Sequence, residues 1–298
     1  MTPTISVAGL TRRYRGQVAL DDVTFDIEGP SITGLLGRNG MGKTTLMRII
    51  AAQEFPTAGL VRVLGASPAE NDAILRRMVF VREDQAFPDL KVGQILQVAS
   101  WFHPNWSGEL AEALLADFGL PLNRKVKKLS RGMRSAVGII IGLAARAEVT
   151  LFDEPYAGLD AEARQVFYDR LLADYAEHPR TVLLSTHLID EAAGLLERVV
   201  VMDRGRVMLD AAADDIRGSA VTVSGPAAAV TEFTAGRVIW DRRMIGGQES
   251  VVVAGAMDGP DRARARELGL SLAPLSLQQL VVHAAGRGPA DLRERTSA

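Results

Sequence analysis

Apolar and polar residues alternate around Ile5 and Val7 and again at Val23, Phe25 and Ile27. A period of two places every second side chain on one face of a strand, so these segments predict a hairpin that turns near Arg15 and Gly16. Residues 31–36 form a denser apolar run that enters a glycine-rich loop, and 43–52 read as a helix, giving the order strand, loop, helix. Short strands are predicted around Val61 and Val63 and over 78–81. Turn residues and helical patches then dominate, predicting a mainly helical insertion over about 86–147. Residues 149–152 and 181–185 are continuous apolar runs separated by a helical stretch at 161–175. Strand, helix, strand at this length implies parallel strands joined by a right-handed crossover, and hence an α/β fold. A further hairpin is predicted at 199–202 and 207–209 around Arg204 and Gly205.

The pattern changes after Asp210. An alanine-rich helix, a strand at 221–224, a hairpin of 237–244 and 249–254 around Gly246 and Gly247, then a helix and a final strand with helix predict a separate small α+β unit. The organisation read from the chain is therefore a nucleotide-binding unit over 1–217, an α+β unit over 218–285, and a tail, 286–298, whose charge, Gly and Pro read as unordered. No internal repeat is visible.

Composition narrows the classes. The 298 residues carry 34 basic and 36 acidic side chains, a net charge of −2, which argues against a partner gripped by phosphate neutralisation and so against nucleic acid. With no cysteine there is no disulfide framework, thiolate zinc site or cysteine nucleophile. The longest strongly apolar stretch, 137–145, is about half of the roughly 20 residues a membrane helix needs. Near the start, Arg12, Arg13 and Arg15 follow a short apolar patch with no secretion-type apolar region after them, so the mature chain is expected to begin at or near Met1.

The loop between the predicted strand and helix reads Gly37, Arg38, Asn39, Gly40, Met41, Gly42, Lys43, Thr44, a match to G-x-x-x-x-G-K-[ST] in the context that motif requires. Its glycines let backbone N–H groups turn toward phosphate oxygens, the helix N-terminus adds positive potential, and Lys43 neutralises the outer phosphates. Thr44 is placed to hold Mg²⁺ by its hydroxyl and Thr45 to reach a neighbouring phosphate. The guanine-selecting N-K-x-D element is absent. Tyr14 offers a ring for stacking on adenine, or is simply a strand tyrosine. Both readings stand on the residues alone.

Asp153 and Glu154 end the apolar run at 149–152, where open α/β sheets bind ligands. Asp153 is expected to hold Mg²⁺, through water, and Glu154 to orient and deprotonate an attacking water. His187 follows the strand at 181–185 and is expected at the same end of the sheet, within reach of the terminal phosphate.

Taken together, residues of about 4–215 resemble an ABC transporter ATPase subunit. The phosphate loop (Walker A), the strand ending in Asp153 and Glu154 (Walker B), a D-loop of Ala157, Gly158, Leu159 and Asp160, and the switch histidine His187 stand in family order. Leu129, Ser130, Arg131, Gly132 and Met133 match the L-S-G-G-Q signature in three of five places. The resemblance implies a P-loop NTPase fold of the ABC type with a helical subdomain, ATP and Mg²⁺ as ligands, Tyr14 as the adenine-stacking residue, and Lys43, Glu154 and His187 as the catalytic set. It further implies a head-to-tail homodimer, or a pair with a homologous subunit, in which the signature of one chain meets the nucleotide of the other. The partner it implies is an integral-membrane permease, with the chain cytoplasmic and peripheral on the inner face of the cell membrane.

Two departures stand out. Arg131 replaces the first signature glycine and Met133 the glutamine, while Ser130 and Gly132 remain. The Q-loop glutamine aligns with Glu83, whereas Gln85 stands two residues late, and either is a candidate. Phe87, Pro88, Leu90, Trp101, Phe102 and Trp106 offer anchors for the permease near this loop, or belong to the core of the helical insertion. The single cassette with a small C-terminal unit is similar to the ATPase subunits of ABC-2-type exporters. The alternatives are a soluble ABC-type ATPase and a low-turnover nucleotide-dependent regulator.

Overall fold

The N-terminal hairpin forms where the alternation predicts it. In the computed structural model, which describes residues 2–285, β1 (Ile5–Tyr14) and β2 (Gln17–Ile27) pair antiparallel with Ile5 opposite Ile27 and Tyr14 opposite Gln17. The expectation for the tail, 286–298, lies outside the described residues. Next come β3 (Ser31–Leu36), α1 (Lys43–Ile50) and β4 (Ala58–Val63), which pairs with the free edge of β1 to complete a three-stranded sheet. The short α2 (Asp72–Leu75) leads into β5 (Met78–Arg82). The helical insertion is built from α3 (Val92–Phe102), α4 (Gly108–Asp117) and α5 (Arg131–Ala144).

The chain then returns to the main sheet through β6 (Val149–Asp153), α6 (Ala161–Glu177) and β7 (Thr181–Thr186), followed by α7 (Ile189–Ala192), β8 (Arg198–Asp203) and β9 (Arg206–Ala212). Its six strands run β5-β6-β7-β3-β8-β9, and the pairs β5–β6, β6–β7, β7–β3 and β3–β8 are all parallel. Every residue of β6 and β7 is buried, which explains why both read as continuous apolar runs instead of alternating ones. Since β6, β7 and β3 are neighbours, the loops after Asp153, Thr186 and Leu36 emerge side by side at the carboxyl end of the sheet. That is where parallel sheets place their ligands.

A core of Ile5, Leu10, Phe25, Leu46, Leu151 and Leu183 joins the smaller sheet, α1 and the main sheet. On the helical side, α5 lies so close to β6 that a Cβ on Gly142 would stand 2.5 Å from the Phe152 ring. Phe152 meets Phe167 edge to face at 5.3 Å, and both are fully buried, so Phe152→Ala should cost about 3–5 kcal/mol. The strand that carries the two acids is thus fixed from both faces.

The chain divides into two compact units, one running to Leu188 with Gly194–Asp210, the other comprising Ile189–Ala193 with the chain from Ala211 onward. The sequence-based boundary at 217/218 therefore falls a few residues late and misses α7. That short helix belongs to the second unit because the Asp190 carboxylate accepts hydrogen bonds from Ser276 Oγ (3.2 Å) and Gln278 N (3.2 Å).

The second unit contains α8 (Ala213–Ile216), β10 (Ala220–Pro226), α9 (Ala227–Phe233), β11 (Ile239–Ile245), β12 (Gln248–Ala254), α10 (Gly259–Glu267), β13 (Ser271–Pro274) and α11 (Leu277–Ala285). From β10 to β13 the order is βαββαβ, and the sheet runs β11-β12-β10-β13 with antiparallel pairing throughout, the ferredoxin-like split βαβ arrangement. Val223, Val230, Phe233, Val251, Val253 and Leu270 form its own core.

Candidate functional site

The phosphate loop takes its shape from three glycines. Gly37, Gly40 and Gly42 have φ of +149°, +82° and +97°, conformations that side chains disfavour. At two of them neighbours also leave no room: a Cβ would stand 2.4 Å from Met202 O at Gly37 and 2.5 Å from Ala19 O at Gly42. Gly42 is also the N-cap of α1, so no side chain competes for the first N–H groups of that helix. The Lys43 ammonium donates to the carbonyls of Gly37 (2.6 Å) and Arg38 (3.2 Å), crossing the mouth of the loop. Burial pulls the Lys43 pKa below its usual value, opposed by the charges of Glu154 and Asp153.

Asn39, Gly40, Gly42, Lys43, Thr44 and Thr45 line a cavity of about 670 Å³, within the roughly 300–1,000 Å³ range of small-molecule sites. Asp153, Glu154, His187 and Tyr14 line the same cavity. Met41, a variable position of the motif, turns instead into the core, where its sulfur accepts the Arg204 N–H at 3.1 Å.

Glu154 adopts φ +47°, a left-handed turn unusual for a side-chain-bearing residue, directly after an extended buried strand. Its Oε2 takes a hydrogen bond from the Tyr156 hydroxyl (2.9 Å) and faces His187 Nδ1 at 2.7 Å. Oε1 is buried and has no hydrogen-bond partner within the protein, and the same holds for Asp153 Oδ1. Tyr156 is itself buried and bonded to the Thr186 hydroxyl. Burial first, and the Glu154 charge second, hold its pKa far above the ordinary phenol value, so it stays a hydroxyl. Sequence reasoning passed over Tyr156. The available signal was its place two residues after Glu154, in a segment otherwise read for its acids.

Tyr14 is 42% exposed and makes contacts with its neighbours. The Arg12 guanidinium lies 4.7 Å from the ring centroid, the tyrosine hydroxyl bonds Glu54, and Arg12 Nε holds the same carboxylate at 2.8 Å. These contacts hold the ring in a cavity that it shares with the phosphate loop.

Comparison with known proteins bears on this geometry. A family model described as ABC transporter matches residues 20–157. The aliphatic sulfonates import ATP-binding protein SsuB 1 of Rhodococcus jostii is 36% identical over 204 residues, 67% of this chain and 80% of the relative. The chain belongs to the ABC transporter ATP-binding proteins. The Nod factor export ATP-binding protein I of Ralstonia nicotianae is 34% identical over 215 residues, covering 69% of this chain and 66% of that relative's length. A dimeric bacterial ABC transporter cassette is similar in structure, with a TM-score of 0.62 and 25% identity over 70% of this chain and 98% of the other.

Set in the ABC cassette, the remaining motif residues fall into two groups. Glu83 lines the cavity, whereas Gln85 folds back so that its Oε1 accepts the Arg82 N–H at 3.3 Å. The Glu83 side chain is ion-paired with Arg131. Ser130 to Met133 and Asp160 do not line the cavity. Ser130 caps α5 by accepting the Met133 N–H (3.2 Å), and Asp160 caps α6 by accepting the Ala163 N–H (2.9 Å). Gly132 has a local reason to be glycine, because a Cβ there would lie 2.3 Å from Gly158 O of the D-loop. Ser135 Oγ donates to Ala157 O at 2.6 Å, so the signature helix and the D-loop form one packed corner.

The aromatics of the insertion divide between the two readings. Trp101 and Phe102 are 72% and 66% exposed at the end of α3, while Phe87 and Trp106 are half-buried. Among the described residues no helix is long and apolar enough to cross a membrane.

Proposed function

We propose that the chain is the ATP-hydrolysing subunit of an ABC transporter, working as a two-fold pair that closes on ATP and drives a separately encoded membrane permease. One observation carries this reading: Glu154, with one carboxylate oxygen unpartnered within the protein, lines the same cavity as Lys43 and the phosphate loop. A carboxylate oxygen with no protein donor is suited to accept from a water, and the glycine-rich loop that lines the same cavity is suited to phosphates.

The residues then divide the work. Tyr14 stacks on adenine, the loop N–H groups and Lys43 bind the phosphates, and Glu154 orients and deprotonates the attacking water. His187, with Nδ1 committed to Glu154, is left to meet the terminal phosphate through its other ring nitrogen. Thr44 and Asp153 Oδ1 are hard oxygen donors of the kind that suits Mg²⁺, which retains water and phosphate ligands and supplies charge neutralisation on the transferred group when bound. Glu83 occupies the Q-loop position. Ser130 and Gly132, turned away from their own cavity, are offered to the nucleotide of the second copy, a reading supported by the likeness to a dimeric cassette. Exposed Trp101 and Phe102 are the anchors for the permease, which holds the chain at the inner membrane face. Export is the favoured direction, on the layout of one cassette followed by a small α+β unit.

The direct test is steady-state ATP hydrolysis by the wild type and Glu154→Gln. The variant should bind ATP as the wild type does and lose at least about 100-fold in kcat. Equal and negligible rates in both would instead favour the nucleotide-dependent regulator.

A further inference from the structure

We infer that Tyr156 is a positioning residue for the hydrolytic step, linking the switch loop to the carboxylate of Glu154. The inference rests on the reading of Glu154 as the base and concerns a residue outside the ABC motifs.

The direction of the hydrogen bonds follows from the chemistry of the groups. An ionised carboxylate only accepts, so the single Tyr156 proton points to Glu154 Oε2 (2.9 Å). Thr186 must then donate its own proton to the Tyr156 oxygen. The Thr186 oxygen in turn accepts the Leu188 N–H at 2.9 Å. A one-way chain results: Leu188 N–H to Thr186, Thr186 to Tyr156, Tyr156 to Glu154. His187 lies between the first two of these residues in sequence and approaches the same Oε2 at 2.7 Å.

Two consequences follow. With Oε2 held by two groups, the carboxylate is anchored at that oxygen and Oε1 is left as the one without a protein donor. The base and the switch histidine are also tied together twice, once directly and once through Tyr156 and Thr186. A displacement of the switch loop therefore changes the hold on the base as well as the position of the histidine. The Tyr156 ring is kept in place separately, packed 6.2 Å from Tyr168 and 6.3 Å from His187 between centroids. Removing only the hydroxyl leaves that packing intact.

The test compares the full chain with Tyr156→Phe, Thr186→Val, the double variant and Glu154→Gln, measuring kcat and KM for ATP beside thermal unfolding. Tyr156→Phe should lower kcat about tenfold and leave KM within about twofold. Thr186→Val should show a smaller loss of the same kind, and the double variant should be no slower than Tyr156→Phe, because both act through one chain of bonds. A Tyr156→Phe kcat within about twofold of wild type, or a loss that tracks KM or unfolding, overturns the inference. If Tyr156→Phe does not fold, Thr186→Val decides by the same kcat and KM criteria. Should Glu154→Gln keep full activity, the reading of the base fails instead, and the two failures are told apart.

Discussion

Glu83, in the loop after β5, and Arg131, the first residue of α5, are ion-paired. On the proposed assignment of Glu83 to the Q-loop, they are two departures from the ABC pattern, an acid in place of the glutamine and a guanidinium in place of a signature glycine. Each departure supplies the other's partner. The acid that lines the cavity has a cation beside it, and the corner that carries the signature is tied to the loop lining the cavity.

Both side chains are about half exposed, so the pair should contribute less than about 1 kcal/mol to stability. Its effect is expected in turnover. Glu83→Gln and Arg131→Gly should each change kcat, and the double variant, which restores the family residues, should depart from the product of the single effects by at least about threefold. Additive effects on kcat in this double-mutant cycle would show that the pair does not couple the two loops.

Gly132 tests the packed corner itself. With Gly158 O only 2.3 Å from the position of an added Cβ, backbone must move, and Gly132→Ala should destabilise by about 1–3 kcal/mol in urea unfolding. Gly93→Ala is the control: it also lies in a helix and its nearest contact is an ordinary 3.6 Å, so it should stabilise by up to about 1 kcal/mol, the intrinsic helix preference of Ala over Gly.

His103 gives a pH dependence with a definite sign. Burial lowers its pKa below the ordinary 6.5, and its Nδ1 is buried without a protein partner. Between the lowered folded value and 6.5 the unfolded chain binds more protons, so stability rises with pH across that window and falls as pH drops through it. His103→Gln should flatten the unfolding free energy against pH in that window alone. An unchanged slope would mean that the ring is not held neutral.

Trp101→Ala should leave unfolding within about 0.5 kcal/mol of wild type, since the ring is largely in solvent, and should weaken co-purification with the permease. A large loss of stability would instead assign the ring to the core.

What the sequence made legible was local. The phosphate loop, the acids at the end of an apolar run and the βαβ crossover are each contained in a short window, and each folds where its pattern indicates. Contacts across long separations were not legible. Glu83 meets Arg131 over 48 residues and Tyr156 meets Thr186 over 30, and no periodicity announces either pair. α9 was missed because seven residues give too few turns for a helical period to register, and with it the βαββαβ order of the second unit. α7 was missed for the same reason, and so was its membership of that unit.

The claim on which the mechanism depends is that two copies close around ATP. Light scattering of Glu154→Gln with and without Mg²⁺ and ATP tests it most directly. The account predicts one chain's mass without nucleotide and two with it, the dimer dissolving when ADP replaces ATP. A mass of one chain under all conditions, at high protein concentration and with the permease supplied, would contradict it.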